Sequence, residues 1–241
     1  MRVCPAPVRQ YVNSSRTPAD PAPTPQQARV RQSGVRASRR VLWLLAAWGL
    51  VVLLGFGALA QYANTAGEPG APPHEWPAGS ALDHNLDRPT LLVFLHPHCP
   101  CSRASVEELS QILARAPDPV DTRIVFVRLQ SVPPSWEQTD LWSAASAIPV
   151  VRVSVDDGGR EACRFRVATS GTTLLYGASG GLLFHGGITG ARGHAGDNAG
   201  VDGVLSGLRA GRSEPQQTPV FGCPLFDSPA LSTQEVSPCP H

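Results

Sequence analysis

Two histidines and two cysteines lie close together in the stretch "LLVFLHPHCPCSRASVEEL". Only Pro100 separates Cys99 from Cys101, and His96 and His98 precede them. A cysteine thiolate can attack a disulfide, and it can also bind copper(I) or, together with imidazole, zinc. These residue types therefore indicate either a redox centre or a metal site.

The position of Cys99 favours a reactive thiol. An apolar strand ends before it and a helix is predicted over Ser102–Ala116, so Cys99 lies near a helix N-terminus. Unpaired backbone N–H groups and the helix dipole stabilise a thiolate there, and Arg103 would add positive charge. On a regular helix the Cys99 and Cys101 side chains diverge by about 200°. A disulfide between them would be strained, and strained disulfides are labile and oxidising.

The metal alternative uses His96, His98, Cys99 and Cys101. Their spacing is too compressed for one regular tetrahedral site built from all four residues. A copper site with two of these ligands and one distant histidine would be less constrained. The alternative stays open, because the local electrostatics that favour a thiolate suit both functions.

Alternating strands and helices place the cysteines at one edge of a predicted sheet. Thr90–Leu95 is apolar throughout, as expected for a buried strand, and the Ser102–Ala116 helix follows it. The order of strands and helices predicts an α/β fold with a mixed sheet between helices. The later predicted elements are Arg123–Leu129, Thr139–Ala147, Val150–Val155, Arg160–Val167, the hairpin "TTLLYGASGGLLFHGG" and Val201–Ala210.

A polar loop after the hairpin is expected to overhang the cysteines, because the second hairpin strand runs back toward them. Arg192 and His194 are its candidate functional residues, and His194 is a candidate for the distant metal ligand. Asp197 and Asn198 are equally well explained as helix-capping residues.

These features resemble a thioredoxin fold. In that family the nucleophilic cysteine follows a strand phenylalanine by five residues, as Cys99 follows Phe94, and a cis-proline precedes a later strand, where this chain has Gly171. The sequence segments "ATSGTTLLY" and "VFGCPLF" resemble those of the membrane-anchored bacterial RedB-type thioredoxin-like proteins. The resemblance implies a catalytic pair, Cys99 and Cys101, with supporting residues Pro100, Ser102, Arg103, Gly171, Thr172, Arg192 and His194.

Two departures from the family pattern bear on the chemistry. The cysteine spacing is C-x-C, and Ser102 stands where the family has its second cysteine. The family's cis-proline normally shapes the substrate groove and discourages metal binding, and Gly171 replaces it here. Both changes leave disulfide exchange and metal binding as competing hypotheses.

The other cysteines offer further thiols. Cys223 lies in the apolar island "PVFGCPLF", where it could resolve a disulfide with Cys99 or Cys101, pair with Cys163 as a staple, or stay inert. Cys4 and Cys239 lie near the two ends of the chain.

The uncharged segment 41–60 predicts a membrane-spanning helix, since about 20 helical residues cross a hydrocarbon core. Arginines before it and none directly after it predict a cytoplasmic N-terminus and an exported domain, in an oxidising compartment. A cleaved signal peptide is the alternative, because Ala58–Ala60 resembles a cleavage site. The predicted regions are a disordered segment 1–40, the anchor 41–60, a linker 61–88, the domain 89–212 and a proline-rich tail 213–241.

The leading hypothesis is a thiol–disulfide oxidoreductase tethered to the bacterial inner membrane, acting on protein thiols and disulfides there without a cofactor. Copper binding or delivery is the alternative, and a non-catalytic interaction domain is the third. A peroxidase-like reaction at Cys99-Pro100 ranks below the first two. The net charge of +1 gives no indication of nucleic-acid binding.

Overall fold

The computed structural model describes residues 25–68, 70–129, 132–133, 135–210 and 214–226. Helix α1 covers Pro25–Ala63 and therefore begins inside the segment for which the sequence predicts disorder. Its portion Ser38–Ala63 has a mean hydropathy of 2.3 and none of its most apolar window is buried in protein. This helix is long and apolar enough to cross a membrane. The boundary between the two units of the chain falls inside α1, after Gly55, and the second unit contains Cys99, Cys101, Cys163 and Cys223.

A six-stranded mixed sheet forms the centre of the second unit. Its spatial order is β3-β2-β1-β4-β5-β6. Strands β1, β2 and β3 are parallel, β4 and β5 form the antiparallel hairpin, and the short β6 pairs parallel to β5. The strands are β1 Thr90–Leu95, β2 Asp121–Arg128, β3 Val151–Asp157, β4 Thr172–Tyr176, β5 Leu182–Gly186 and β6 Gln216–Gln217.

Four helices after α1 connect these strands. The crossover from β1 to β2 is α2, and α3 and α4 lie before and after β3. Each parallel connection therefore contains a helix, as a parallel pairing requires. The helices are α2 Ser102–Arg115, α3 Asp140–Ser146, α4 Arg160–Arg164 and α5 Ala199–Ala210.

Strand β1 is buried on both faces and divides the core into two clusters. Leu91, Val93 and Leu95 face one cluster, which also contains apolar side chains of α2, α3 and α5. Leu92 and Phe94 face the other, with side chains of α4. The two-residue period of the strand explains this division, because successive side chains point to opposite faces. The predicted mixed sheet flanked by helices is confirmed, and its topology is thioredoxin-like.

Residues that the sequence assigns to a linker pack against the second cluster. Trp76 forms edge contacts with Phe165 and Tyr176, with ring centroids 5.2 and 5.3 Å apart, and Leu82 packs beside it. The Tyr176 hydroxyl donates to the Pro73 carbonyl oxygen at 2.9 Å. Apolar burial explains why this proline-rich stretch lies on the domain.

Candidate functional site

Two consecutive turns hold Cys99 between β1 and α2. The Cys99 amide donates to the His96 carbonyl oxygen at 3.0 Å, and the Ser102 amide donates to the Cys99 carbonyl oxygen at 3.1 Å. Cys101 is the N-cap residue of α2 and already has right-handed helical dihedrals. The chain turns immediately after the buried strand β1, so Cys99 lies just beyond the C-terminal end of that strand. Cys99 is only 3% exposed.

A segment from the C-terminal part of the chain covers this turn. The Ser170 amide donates to the Cys223 carbonyl oxygen and the Leu225 amide donates to the Ala168 carbonyl oxygen, both at 2.8 Å. Thr169 and Pro224 form the antiparallel bridge between these bonds. We call residues 219–225 the cover segment. It brings Cys223 to Cys99, and both are free thiols.

Ser170 connects the cover segment to the cysteine turn. Its hydroxyl accepts a hydrogen bond from the His96 amide at 2.7 Å and lies 2.8 Å from the Ser102 hydroxyl. The next residue, Gly171, has a φ of +92°, and its amide donates to the Phe94 carbonyl oxygen at 2.8 Å. The backbone at the position of the family's cis-proline therefore depends on a glycine conformation.

Arg192 binds the cover segment from the loop after the hairpin. Its guanidinium donates to the carbonyl oxygens of Gly222 and Thr65, and its amide donates to the Ala63 carbonyl oxygen at 2.9 Å. The same guanidinium interacts with the thiols of Cys101 and Cys223. The expectation that this loop overhangs the cysteines agrees with these contacts.

The three thiols have different protonation preferences. Burial alone would raise the pKa of Cys99, but hydrogen bonds from the Cys223 thiol, the Ser102 hydroxyl and the Cys223 and Cys101 amides lower it. Burial and the adjacent Cys99 thiolate raise the pKa of Cys101 against the opposing charge of Arg192. The same causes raise the pKa of Cys223 to about 12. Of the three thiols, Cys99 therefore ionises most readily, and its two neighbours keep their protons to higher pH.

A shallow cavity reaches Cys99 from the side away from the cover segment. Its volume is about 290 Å³. Arg103 and Asp140 form an exposed ion pair at its rim, so Arg103 is neutralised there instead of acting on Cys99. The remaining lining residues are Pro97, His98, Pro100, Thr139 and Leu141. The cavity is large enough for one side chain or a small thiol compound.

His96 and His98 contact Trp136. The His98 ring lies 4.4 Å from the Trp136 ring, its Nε2 lies 3.0 Å from the Trp136 carbonyl oxygen, and the His96 ring lies 5.1 Å from the Trp136 ring. No group of three or more His, Cys, Asp or Glu side chains in the described part of the chain could hold a metal ion. The predicted four-ligand set of His96, His98, Cys99 and Cys101 is therefore not assembled.

Several other predicted site residues have structural contacts. His194 is exposed, and its Nδ1 lies 3.0 Å from the Arg192 carbonyl oxygen. The Thr172 hydroxyl donates to the Thr169 carbonyl oxygen at 2.6 Å and so closes the turn around Gly171. Cys163 is disulfide-bonded and Cys223 is free, so the structure does not contain the Cys163–Cys223 staple, which was one of the alternatives for Cys223. Cys4 and Cys239 lie outside the described residues.

Sequence reasoning missed the role of Ser170. It lies directly before Gly171 and carries both the bond to the cover segment and the contact with Ser102. The position next to the expected cis-proline was the one available signal, and it did not identify the partner segment.

Because the pKa of Cys99 is lowered, we expect its alkylation to follow a midpoint below that of an ordinary cysteine, about 8.5. The thiolate is the reactive form, so the rate falls as the pH drops through this midpoint. Replacing Cys223 by alanine removes a donor to the thiolate and should raise the midpoint. Peptide-resolved iodoacetamide kinetics across pH would measure both values. An unchanged midpoint in Cys223→Ala would show that the Cys223 thiol does not stabilise the Cys99 thiolate.

The fold has recognisable likenesses among solved structures. An uncharacterised conserved protein from Geobacillus kaustophilus matches with 18% identity, a TM-score of 0.49, and coverage of 69% of this chain and 94% of the other. A secreted Mycobacterium tuberculosis disulfide oxidoreductase homologous to E. coli DsbE matches with 19% identity, a TM-score of 0.40, and coverage of 56% and 93%. No family model and no curated protein matches. These likenesses concern the arrangement of strands and helices only.

Proposed function

We propose that this chain is a membrane-tethered thiol–disulfide oxidoreductase of the RedB type, with Cys99 as its nucleophile. The observation that carries the proposal is the environment of the Cys99 sulfur. Donors from Cys223, Ser102 and Cys101 surround it and lower its pKa despite its burial. A stabilised thiolate next to further free thiols has the two groups that disulfide exchange requires, an attacking thiolate and a second thiol.

The reaction begins when the Cys99 thiolate attacks a substrate disulfide. A new disulfide forms between Cys99 and one half of the substrate, and the other half leaves as a thiolate. The cavity of about 290 Å³ beside Cys99 offers the incoming group a place that the cover segment does not occupy. A second thiol then releases the substrate. The C-x-C spacing predicts Cys101 for this role.

In this proposal, the apolar helix α1 anchors the cysteine domain at a membrane. The arginines that precede segment 41–60 place the N-terminus in the cytoplasm by the positive-inside rule. The cysteine domain then faces the oxidising side of a bacterial inner membrane, where protein thiols and disulfides are its substrates.

Copper delivery receives less support from the same residues. His98 lines the same cavity as Cys99, but no three His, Cys, Asp or Glu side chains in the described part of the chain are grouped to hold a metal ion. A purely structural role for the cysteines does not account for donors that converge on Cys99.

We expect Cys99 to form a mixed disulfide when both neighbouring thiols are removed. Full-length protein carrying Cys101→Ser and Cys223→Ser, in detergent, would be treated with glutathione disulfide and mapped by mass spectrometry. Adduct formation at Cys99 should still be faster than the reaction of free cysteine at pH 7, because the Ser102 hydroxyl and the amides of residues 101 and 223 still donate to its sulfur, and the serine hydroxyl at position 223 replaces the thiol as a donor.

The matched control adds Cys99→Ser to the same double variant and should lose this adduct. A Cys99 that reacts no faster than free cysteine would contradict the proposed function. Addition of copper(I) to the same double variant tests the alternative, since stoichiometric uptake that depends on Cys99 and a histidine would favour metal binding.

A further inference from the structure

The cover segment presents Cys223 to Cys99 from a separate part of the chain. Two backbone hydrogen bonds, to Ala168 and Ser170, hold the cover segment over the cysteine turn. The Arg192 guanidinium holds the carbonyl oxygen of the preceding residue, Gly222. The Cys223 thiol and amide both lie within hydrogen-bonding reach of the Cys99 sulfur.

The Cys101 thiol also lies within hydrogen-bonding reach of the Cys99 sulfur, but its backbone is held less favourably for the same bond. As the N-cap of α2, Cys101 already has right-handed helical dihedrals, and its carbonyl oxygen accepts the Ala104 amide at 3.2 Å. The Cys99 carbonyl oxygen accepts the Ser102 amide at 3.1 Å. A disulfide that closes over Pro100 alone would require these turns to open, whereas Cys223 comes from a separate segment.

We infer that Cys223 is the resolving thiol, and that the oxidised protein carries a disulfide between Cys99 and Cys223. The inference rests on the proposed function, because it presupposes that Cys99 attacks disulfides. It assigns the resolving role to the C-terminal cover segment, whereas the C-x-C spacing alone predicts Cys101.

The second step balances as an ordinary thiol–disulfide exchange. After the first attack, Cys99 is bonded to one half of the substrate and the other half has left as a thiolate. The leaving thiolate takes the Cys223 proton, and the Cys223 thiolate attacks the Cys99 sulfur. The Cys99–Cys223 bond forms and the bond from Cys99 to the substrate breaks. One substrate disulfide is thus reduced to two thiols, while two protein thiols become one disulfide.

The first step itself prepares Cys223 for the second. In the reduced protein, burial and then the neighbouring Cys99 thiolate keep Cys223 protonated. Once Cys99 has become part of a mixed disulfide, its negative charge no longer raises the pKa of Cys223, and burial and the neighbouring Cys101 are the causes that still oppose ionisation. The Arg192 guanidinium then favours the Cys223 thiolate. Cys223 is therefore a donor before the attack and a nucleophile after it.

The position of the cover segment in the reduced protein also fits this assignment. Cys99 is 3% exposed because the cover segment lies over it. A disulfide to Cys223 would fix the segment in this position covalently, and reduction would leave only hydrogen bonds to hold it. The redox state then controls how freely the segment can move away from the nucleophile.

The experiment maps the disulfide formed by full-length protein with one equivalent of glutathione disulfide, after acid quenching and alkylation of free thiols. Cleavage after arginine leaves Cys99 and Cys101 on one peptide, since no arginine separates them, and Cys223 on another. A Cys99–Cys223 disulfide therefore joins two peptides, and a Cys99–Cys101 disulfide stays within one. Cleavage after Phe226 separates Cys223 from Cys239.

We expect the two-peptide link in the wild-type protein and in Cys101→Ser. In Cys223→Ser the glutathione adduct on Cys99 should persist about 100-fold longer, because the intramolecular attack is lost. A Cys99–Cys101 link in the wild type, or an adduct that persists in Cys101→Ser and not in Cys223→Ser, would overturn the inference and leave the proposed function intact. Absence of any Cys99 adduct in the Cys101→Ser, Cys223→Ser double variant would overturn both.

Discussion

Replacement of Gly171 by proline is expected to unfold the cysteine domain. Gly171 has a φ of +92°, whereas a proline ring holds φ near −65°. Proline would also remove the amide that donates to the Phe94 carbonyl oxygen. The combined loss is about 4 kcal/mol or more of the free energy of unfolding. A typical domain has only about 5–15 kcal/mol in total.

Urea unfolding of full-length protein in detergent, followed by circular dichroism and tryptophan fluorescence, would measure this loss. Gly171→Ala gives a graded comparison, because a left-handed conformation costs alanine about 1–2 kcal/mol and its Cβ would lie 3.2 Å from the Ser105 hydroxyl. Gly190→Ala is the matched control, since its Cβ would make only an ordinary contact at 3.7 Å. A Gly171→Pro protein as stable as the wild type would mean that this turn can adopt the family's conformation.

Substitution of Gly222 by alanine is expected to lift the cover segment and expose Cys99. A Cβ at this position would lie 1.9 Å from the Ser170 carbonyl oxygen, and backbone atoms cannot yield by rotating a side chain. The displacement would break the two hydrogen bonds that join residues 168 and 170 to the segment. At about 1 kcal/mol each, their loss raises the open fraction about 30-fold.

The rate of Cys99 alkylation by iodoacetamide should rise by the same factor, measured by peptide mapping at a pH where Cys99 is fully ionised. Gly181→Ala serves as the control, because its Cβ would have only the Ser179 hydroxyl within 4 Å, at 3.9 Å. Equal Cys99 rates in Gly222→Ala, Gly181→Ala and wild-type protein would show that the cover segment does not limit access.

The sequence predicted those parts of the fold that have a repeating pattern. The uninterrupted apolar run of β1 and the apolar face of α2 give their bounds almost to the residue. The spacing from Phe94 to Cys99 then places Cys99 beyond the end of a buried strand. The hairpin direction was enough to bring Arg192 to the thiols.

The rest depended on contacts that leave no periodic pattern. The cover segment is held by one antiparallel bridge and by bonds to backbone carbonyl oxygens, which any residue could make. Trp76 and its neighbours lie in a proline-rich stretch, which the sequence pattern assigns to a linker. Their apolar side chains can be covered only by the folded sheet, so the pattern does not show that they pack on the domain. Trp136 contacts both His96 and His98, although it lies 38 residues beyond His98 in the sequence.

In the proposed membrane-tethered oxidoreductase, the bonds from Arg192 to Ala63 and Thr65 bear on which substrates Cys99 can reach. A flexible tether would let a domain search a volume that grows with the length of free chain. Ala63 and Thr65 are bonded to Arg192 within the same unit, so the residues that directly follow α1 add no such free chain. For a domain anchored through α1, the effective concentration of a partner would be high only for thiols carried at the membrane surface. Substrates would then be selected by their location before any sequence is recognised.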